Sequence, residues 1–270
     1  MIFQPELGVS LHTVSDELTD QALAAVGSSR IATLEISPAL LEGDQQPRKR
    51  PLMAMLQRSG IRPASVHAKF GAPFDVSSPD EETRRTGIAA AGSAVELAAE
   101  LGAAIVVCHA SAEPIAPPDR AEHLRRAQDA LAEIAPRCRR AGVRIAVELL
   151  PRTCIGNTVE ELGELLAPLD EQTFGVCLDT NHLMGRHAQL ADKVRRLGQR
   201  LITLHLSDYD GVDEKHQLPG TGVLDWPSFV AALGEIGYAG PFNYECTLPG
   251  PTPAERVTAL EESFAWLSGL

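Results

Sequence analysis

The feature that most constrains this chain is an alternation that runs from end to end: short apolar, β-branched runs separated by longer stretches with helical periodicity. The runs are Leu7–Ser10, Ile31–Ile36, Ala64–His67, Ala104–His109, Arg144–Leu149, Phe174–Asp179, Ile202–His205 and Phe242–Glu245. Strand alternating with helix predicts a parallel sheet, because each crossover must carry the chain back to the sheet's starting edge. Eight such units in 270 residues predict one (β/α)8 TIM barrel, a single domain over residues 1–270, with its functional side chains at the C-terminal mouth of the strands.

Local signals agree with that division. Thr158-Val159-Glu160-Glu161 opens a helix with early acids, and Gly102 and Gly142 each close one just before the next strand. Asp225 reads as an N-cap with Pro227 in the first turn of a helix that runs through Phe229 and Leu233 to Gly237. In the Ala-rich stretch from Ala89 to Ala99, Leu97 and Leu101 fit a buried helix face. The longer interruption from Gly71 to Glu82, with Pro73, Ser77, Ser78 and Pro79, is either a lid over the mouth or a plain surface loop.

Charge and cysteine usage narrow the function. The net charge is −12, with the cations scattered, which argues against nucleic acid or an anionic membrane as partner. The five cysteines, Cys108, Cys138, Cys154, Cys177 and Cys246, show no CxxC spacing, so neither a disulfide framework nor a zinc ribbon is expected, and a reducing, cytoplasmic setting is. The N-terminal Met1-Ile2-Phe3-Gln4-Pro5-Glu6 lacks a basic and apolar leader pattern, and no apolar run approaches the roughly 18 residues of a membrane span, so a soluble protein is expected.

The chemistry is carried by how the strands end. In six of them an apolar run stops at an ionisable residue: His67, His109, Glu148, Asp179, His205 and Glu245. A barrel brings these ends to one mouth. Burying an unpaired carboxylate costs several kcal/mol, so three of them gathered with imidazoles call for a neutralising cation. Glu148, Asp179, His205 and Glu245 are the principal candidate ligands, and His67 and His109 are further ones. Oxygen and imidazole donors suit a divalent ion, manganese first, with zinc, cobalt or magnesium as alternatives. His182 lies three residues after Asp179, close enough to face the same pocket, and His216, in the long loop after the seventh strand, could reach back to it. Asp208 is either a partner that fixes an imidazole or a loop cap. Glu214 reads as a solvated surface acid, and the alternative to metal ligation for a lone strand-end glutamate is pairing with a local arginine such as Arg152.

Val147-Glu148, Leu178-Asp179-Thr180-Asn181-His182, His205-Leu206-Ser207-Asp208, His216 through Gly222 with Asp225-Trp226, and Tyr244-Glu245 together resemble the xylose isomerase-like TIM barrels. That superfamily of sugar phosphate isomerases and epimerases includes an apurinic endonuclease branch, and the resemblance spans nearly the whole chain. It implies that Glu148, Asp179, His205 and Glu245 bind the metal, that Glu148 and Glu245 are also the acid/base pair, and that His182 touches a substrate hydroxyl or carbonyl, with His109 and His67 facing the same substrate. The endonuclease branch binds three zinc ions; its additional ligands would fall on His67, His109, His182 and His216, with Glu214 where that branch has an Asp. Related ketose epimerases often carry an Arg six positions after the metal-binding His, where this chain has Gly211.

The resulting expectation is proton transfer on a ketose or related carbohydrate through a metal-stabilised enediolate. The rivals are a multinuclear zinc phosphoesterase of the endonuclease type, a carbohydrate lyase or dehydratase on the same scaffold, and a barrel that only binds a sugar or a partner. The superfamily resemblance further implies a homo-oligomer.

Overall fold

A computed structural model describes residues 4–270. Its eight strands are β1 (Leu7–Ser10), β2 (Thr33–Ile36), β3 (Arg62–His67), β4 (Ile105–Cys108), β5 (Arg144–Glu148), β6 (Phe174–Asp179), β7 (Leu201–His205) and β8 (Phe242–Tyr244). Each is followed by a helix: α1 (Asp20–Gly27), α2 (Lys49–Ser59), α3 (Glu81–Leu101), α4 (Arg120–Ala141), α5 (Val159–Leu166), α6 (Leu190–Leu197), α7 (Trp226–Ile236) and α8 (Pro253–Leu267). Every expected strand is present, with no end displaced by more than two residues. His109 and Glu245 stand just past the last paired residues of β4 and β8.

All strand pairs are parallel, in the spatial order β7-β6-β5-β4-β3-β2-β1-β8. The ring closes between β7 and β8 through one parallel bridge, Leu206 to Tyr244, just beyond the end of β7.

Side chains alternate across a strand, so residues two apart share a face. On the helix-facing side Val106, Ile145, Val147, Phe174, Val176, Leu178 and Leu204 are buried in the main apolar core. The inward side carries small or apolar residues at mid-height, where Val107, Ala146 and Cys177 form a separate small cluster with Ile105 and Ile202 packed against it. One residue pair further along each strand, the inward side turns polar: Ala146 gives way to Glu148, Cys177 to Asp179 and Val107 to His109. The polar layer is thus placed at the mouth by strand parity alone.

The helices begin and end where the sequence signals lie. Thr158 accepts a bond from Glu161 N at 3.0 Å and Asp225 one from Ser228 N at 3.2 Å, each satisfying a helix-start amide. Gly102 and Gly142 take φ values of 75° and 67° at the ends of α3 and α4, a left-handed turn that glycine enters without Cβ strain. The stretch from Gly71 contains a short turn, Ala72–Phe74, and ends where Asp80 caps α3 through Thr83 N at 2.8 Å. Among the described residues no helix is long and apolar enough to cross a membrane.

Candidate metal centre

Glu148, at the end of β5, is the hub of the mouth. One of its oxygens lies 3.0 Å from His109 Nε2 and 3.3 Å from His67 Nε2; the other lies 3.3 Å from His205 Nδ1 and 3.5 Å from His182 Nδ1. His205, fully buried at the end of β7, reaches Glu245 at 2.6 Å with Nδ1 and Glu35 at 3.1 Å with Nε2. Four ligand atoms, one each from Glu148, Asp179, His205 and Glu245, fall within 4.8 Å of one another. The structure therefore gathers the whole expected quartet. Three further sets meet the same limit, His67 with His205 and Glu245, His67 with His109 and Glu148, and Asp179 with His182 and His216, so every expected ligand sits in at least one group.

Backbone partners orient the imidazoles. His67 Nδ1 lies 2.8 Å from Ala68 O and His182 Nδ1 2.8 Å from Leu149 O. In the neutral ring each Nδ1–H donates to that carbonyl, which leaves Nε2 with its lone pair free toward the pocket, the tautomer a metal ligand needs. Asp179 spends Oδ1 on accepting from Asn181 N at 2.7 Å and His182 N at 3.2 Å. Its buried Oδ2 has no hydrogen-bond partner, an orphan that a cation would satisfy.

The electrostatics point the same way. Burial pushes the Glu148 carboxyl up, but His205 and His109 outweigh it and hold the group well below the usual range; Glu245 and Glu35 are likewise held low against burial, chiefly by His205. Burial pushes the His67 and His182 imidazoles down, yet the surrounding acids lift them to about 9 and about 10. Asp179 is raised by burial, which His182 and His216 only partly offset, and His109 is lowered by burial. Protons on imidazoles are here filling a demand for positive charge, which a divalent cation meets with less loss of ligand capacity.

A pH experiment reads this directly. His67 and His182 titrate above their ordinary 6.5, so the stability their protonation contributes to the chelator-treated protein is complete below pH 6.5 and is lost as pH rises through about 9 and about 10. Its Tm should fall over that window, while the Tm gain from added divalent cation should grow, since the ligands must be deprotonated to bind. A Tm that rises from pH 6.5 to 10 in the metal-free protein would contradict the assignment.

Two side chains differ from the sequence expectation, and for a third, Asp208, the structure selects the loop cap of the two roles left open. Glu214 is not a free surface acid: it lies 3.1 Å from His216 Nε2 and 3.5 Å from His182 Nε2, because the loop after β7 folds back over the mouth. Arg152 pairs not with Glu148 but with Glu214 at 2.6 Å, Asp213 at 3.1 Å and Glu113 at 3.5 Å, tying the loop after β5 to the loop after β7. Arg152 and His216, which holds the other side of Glu214, both take positive φ, 48° and 46°, a conformation that costs a non-glycine residue about 1 kcal/mol or more and persists only where its surroundings hold it. Among the described residues Asp208 makes no hydrogen bond to an imidazole. Its carboxylate accepts from Gly220 N at 2.8 Å, Tyr209 N at 3.0 Å, Leu224 N at 3.1 Å and Trp226 Nε1 at 2.8 Å, so it organises the loop that carries Glu214 and His216. Arg152→Ala should therefore weaken an ion bound through His182 and His216 by about 10- to 100-fold. It should move the Tm little, since exposed ion pairs contribute only about 0–1 kcal/mol; calorimetric metal titration beside a melting curve checks both.

Glu35 is the residue that strand ends did not reveal. Fully buried on β2, it accepts from Ser65 Oγ at 2.7 Å and faces His205. Its strand ends on Ile36, so a rule that inspects only last residues passes over it; the inward parity of Thr33 and Glu35 would have found it.

The cluster opens into a cavity of about 430 Å³ bordered by His12, Phe70, Leu248 and Arg256 as well as the mouth residues. Phe70, 58% exposed, stacks at 4.5 Å on His109 and gives the rim an apolar face. A cavity of that size, lined mostly by convergent polar groups, is suited to a small polar molecule.

The chain matches the family described as xylose isomerase-like TIM barrel over residues 27–270. It is 29% identical over 187 residues to the ketose 3-epimerase of Arthrobacter globiformis, covering 67% of this chain and 63% of that protein's length. Among solved structures, a D-tagatose 3-epimerase-like protein superposes with a TM-score of 0.81 at 24% identity, over 98% of both chains. The IOLI protein with a binding zinc atom superposes at 0.80 with 20% identity, again over 98% of both. At these identities the solved structures establish the fold.

Proposed function

The chain belongs to the xylose isomerase-like TIM barrel family, and from that premise we propose that it is a divalent-cation-dependent isomerase or epimerase of a ketose or closely related carbohydrate. The observation that carries the proposal is the pairing of Glu148 and Glu245. Both border one small-molecule cavity, from β5 and from the end of β8, and both are kept as carboxylates at neutral pH. A barrel that merely bound a sugar would need one such group at most.

The donor set fits a cation on its own evidence, the orphaned Asp179 Oδ2 and the acids that draw protons onto His67 and His182. Glu148, Asp179, His205 and Glu245 would hold it. Bound there, it would polarise a sugar carbonyl and its neighbouring hydroxyl and so acidify the carbon between them. One of Glu148 and Glu245 would accept that proton as a carboxylate and return it to the neighbouring carbon in an isomerisation, whereas inversion at the same carbon requires the opposite glutamate to enter the step protonated and deliver its own proton. Glu35 fixes the orientation of His205, and His182, held by Leu149 O, presents Nε2 to a substrate hydroxyl. The zinc in the IOLI neighbour and the ketose 3-epimerase relative are consistent with this reading.

The test is to strip the protein with chelator, reload it in parallel with manganese, zinc, cobalt or magnesium, and incubate it with a ketose panel in D2O. Reloaded protein should place deuterium on the carbon beside the carbonyl and stripped protein should not. If no ketose, aldose or cyclitol ketone acquires deuterium with any ion, the proposal is wrong.

One observation favours the phosphoesterase reading, the four overlapping donor groups among the described residues, which offer room for more than one ion. Against it stands the net charge of −12, since phosphate contacts dominate DNA affinity. Cleavage of abasic DNA by zinc-loaded protein would decide for it.

A further inference from the structure

Arg256, in the first turns of α8, is the only lysine or arginine bordering the cavity among the described residues. Its guanidinium is fixed from behind. Nε donates to Gly250 O at 3.1 Å and Nη1 to Val14 O at 3.1 Å, which anchors the loop before α8 to the turn after β1. An arginine offers five N–H donors in a planar fork. These two carbonyls take one donor from each of two nitrogens and leave the second Nη1–H and both Nη2–H.

No carboxylate pairs with Arg256 among the described residues, although Asp16 and Glu245 border the same cavity. Other arginines of this chain, Arg120, Arg152 and Arg195 among them, are matched with acids within 3.5 Å. An arginine held rigid by neutral acceptors, half-buried, with its fork unspent and its charge unanswered at the edge of a cavity, is built to receive an oxyanion. The net charge of −12 does not forbid this, because charges farther than about 8 Å are largely screened at physiological salt.

We propose that Arg256 is the anion anchor of the cavity, and that the sugar turned over carries an oxyanion, carboxylate or phosphate, at the end remote from Glu148 and Glu245. This rests on the sugar reading of the site and specifies its substrate class.

The test is steady-state kinetics of the metal-loaded wild type, Arg256→Ala and Arg256→Lys on three matched substrates: a free ketohexose, its 6-phosphate, and the keto acid oxidised at the same terminal carbon. The wild type should favour one or both charged sugars, and whichever of the two it prefers identifies the oxyanion. Arg256→Ala should lower kcat/KM for that sugar by about 10- to 100-fold, mainly through KM, and change the free ketohexose less than about threefold, with Arg256→Lys between. A purely structural arginine would depress all three substrates together, and that result, or a wild type indifferent to charge, overturns the proposal. If no sugar is turned over, calorimetry of the sugar 6-phosphate with wild type and Arg256→Ala separates the two ideas. Binding lost in the variant keeps the anion anchor while the isomerase reading falls; equal binding or none removes the anchor as well.

Discussion

Glu148→Gln should lose about 10³- to 10⁴-fold in turnover and most of its bound metal, although glutamine matches glutamate in shape. The reason lies in how many partners share this one carboxylate. His67, His109, His182 and His205 all lie within 3.5 Å of it, and no other acid of the mouth touches so many. Removing its charge deletes an acid/base group and a ligand. It also leaves raised imidazoles such as His67 facing a neutral amide, so the metal-free variant should unfold about 3 kcal/mol more easily than the wild type. Glu245→Gln supplies the contrast. Glu245 contacts His205 closely and His12 only at 3.7 Å, and it is less buried, so its replacement should cost a similar factor in turnover with a smaller stability loss. Turnover, metal content and denaturant midpoint measured on both variants check this; a Glu148→Gln protein within tenfold of wild-type kcat/KM would refute the acid/base assignment.

Asp208→Ala should cause the largest stability loss outside the mouth itself, about 3 kcal/mol or more. Gly220 N, Tyr209 N, Leu224 N and Trp226 Nε1 all donate to this buried carboxylate, and each buried donor left unsatisfied costs about 1–3 kcal/mol before water or relaxation relieves it. The loop around it has little room to adjust. A Cβ on Gly222 would stand 2.2 Å from Tyr209 O and 2.5 Å from Asp208 Oδ1, so glycine is required there by close approach. Since the same loop places Glu214 and His216, the variant should bind metal more weakly and be cleaved faster by protease between residues 209 and 224. A loss under 1 kcal/mol in urea denaturation would show that the loop is held by other contacts.

The barrel was legible in the sequence because its two periodicities are local. A four- to six-residue β-branched run and a capped amphipathic helix each declare themselves without reference to distant residues, and eight repetitions leave few ways to close the sheet. The mouth was legible for a related reason: an apolar strand that stops on Glu148 or Asp179 breaks its own pattern. What escaped depended on tertiary approach. Glu214 looks like any loop acid until Arg152, from another loop, turns it toward His182. Arg256 is one charge on an amphipathic helix until Val14 and Gly250 fix its guanidinium. The run from His216 to Gly222, with Asp225-Trp226, reads as a motif, but its physical content, an indole N–H and three backbone amides folded onto Asp208, needed the coordinates.

The wall of the barrel is unevenly knitted. Elsewhere neighbouring strands share three or four paired positions, whereas β7 and β8 meet at one bridge, with Leu206 N donating to Asn243 O at 2.8 Å and Glu245 N to Leu206 O at 3.1 Å. His205 and Glu245 stand on either side of that seam. An ion gripped by both would rivet the thinnest joint of the cylinder. Its arrival should slow amide hydrogen exchange at Leu206 and Glu245 far more than at Val147 in the thickly laced β4–β6 wall. Cofactor occupancy and the mechanical integrity of the cylinder would then be a single equilibrium, so that scarcity of the metal is felt first as a loosening along one line of the wall.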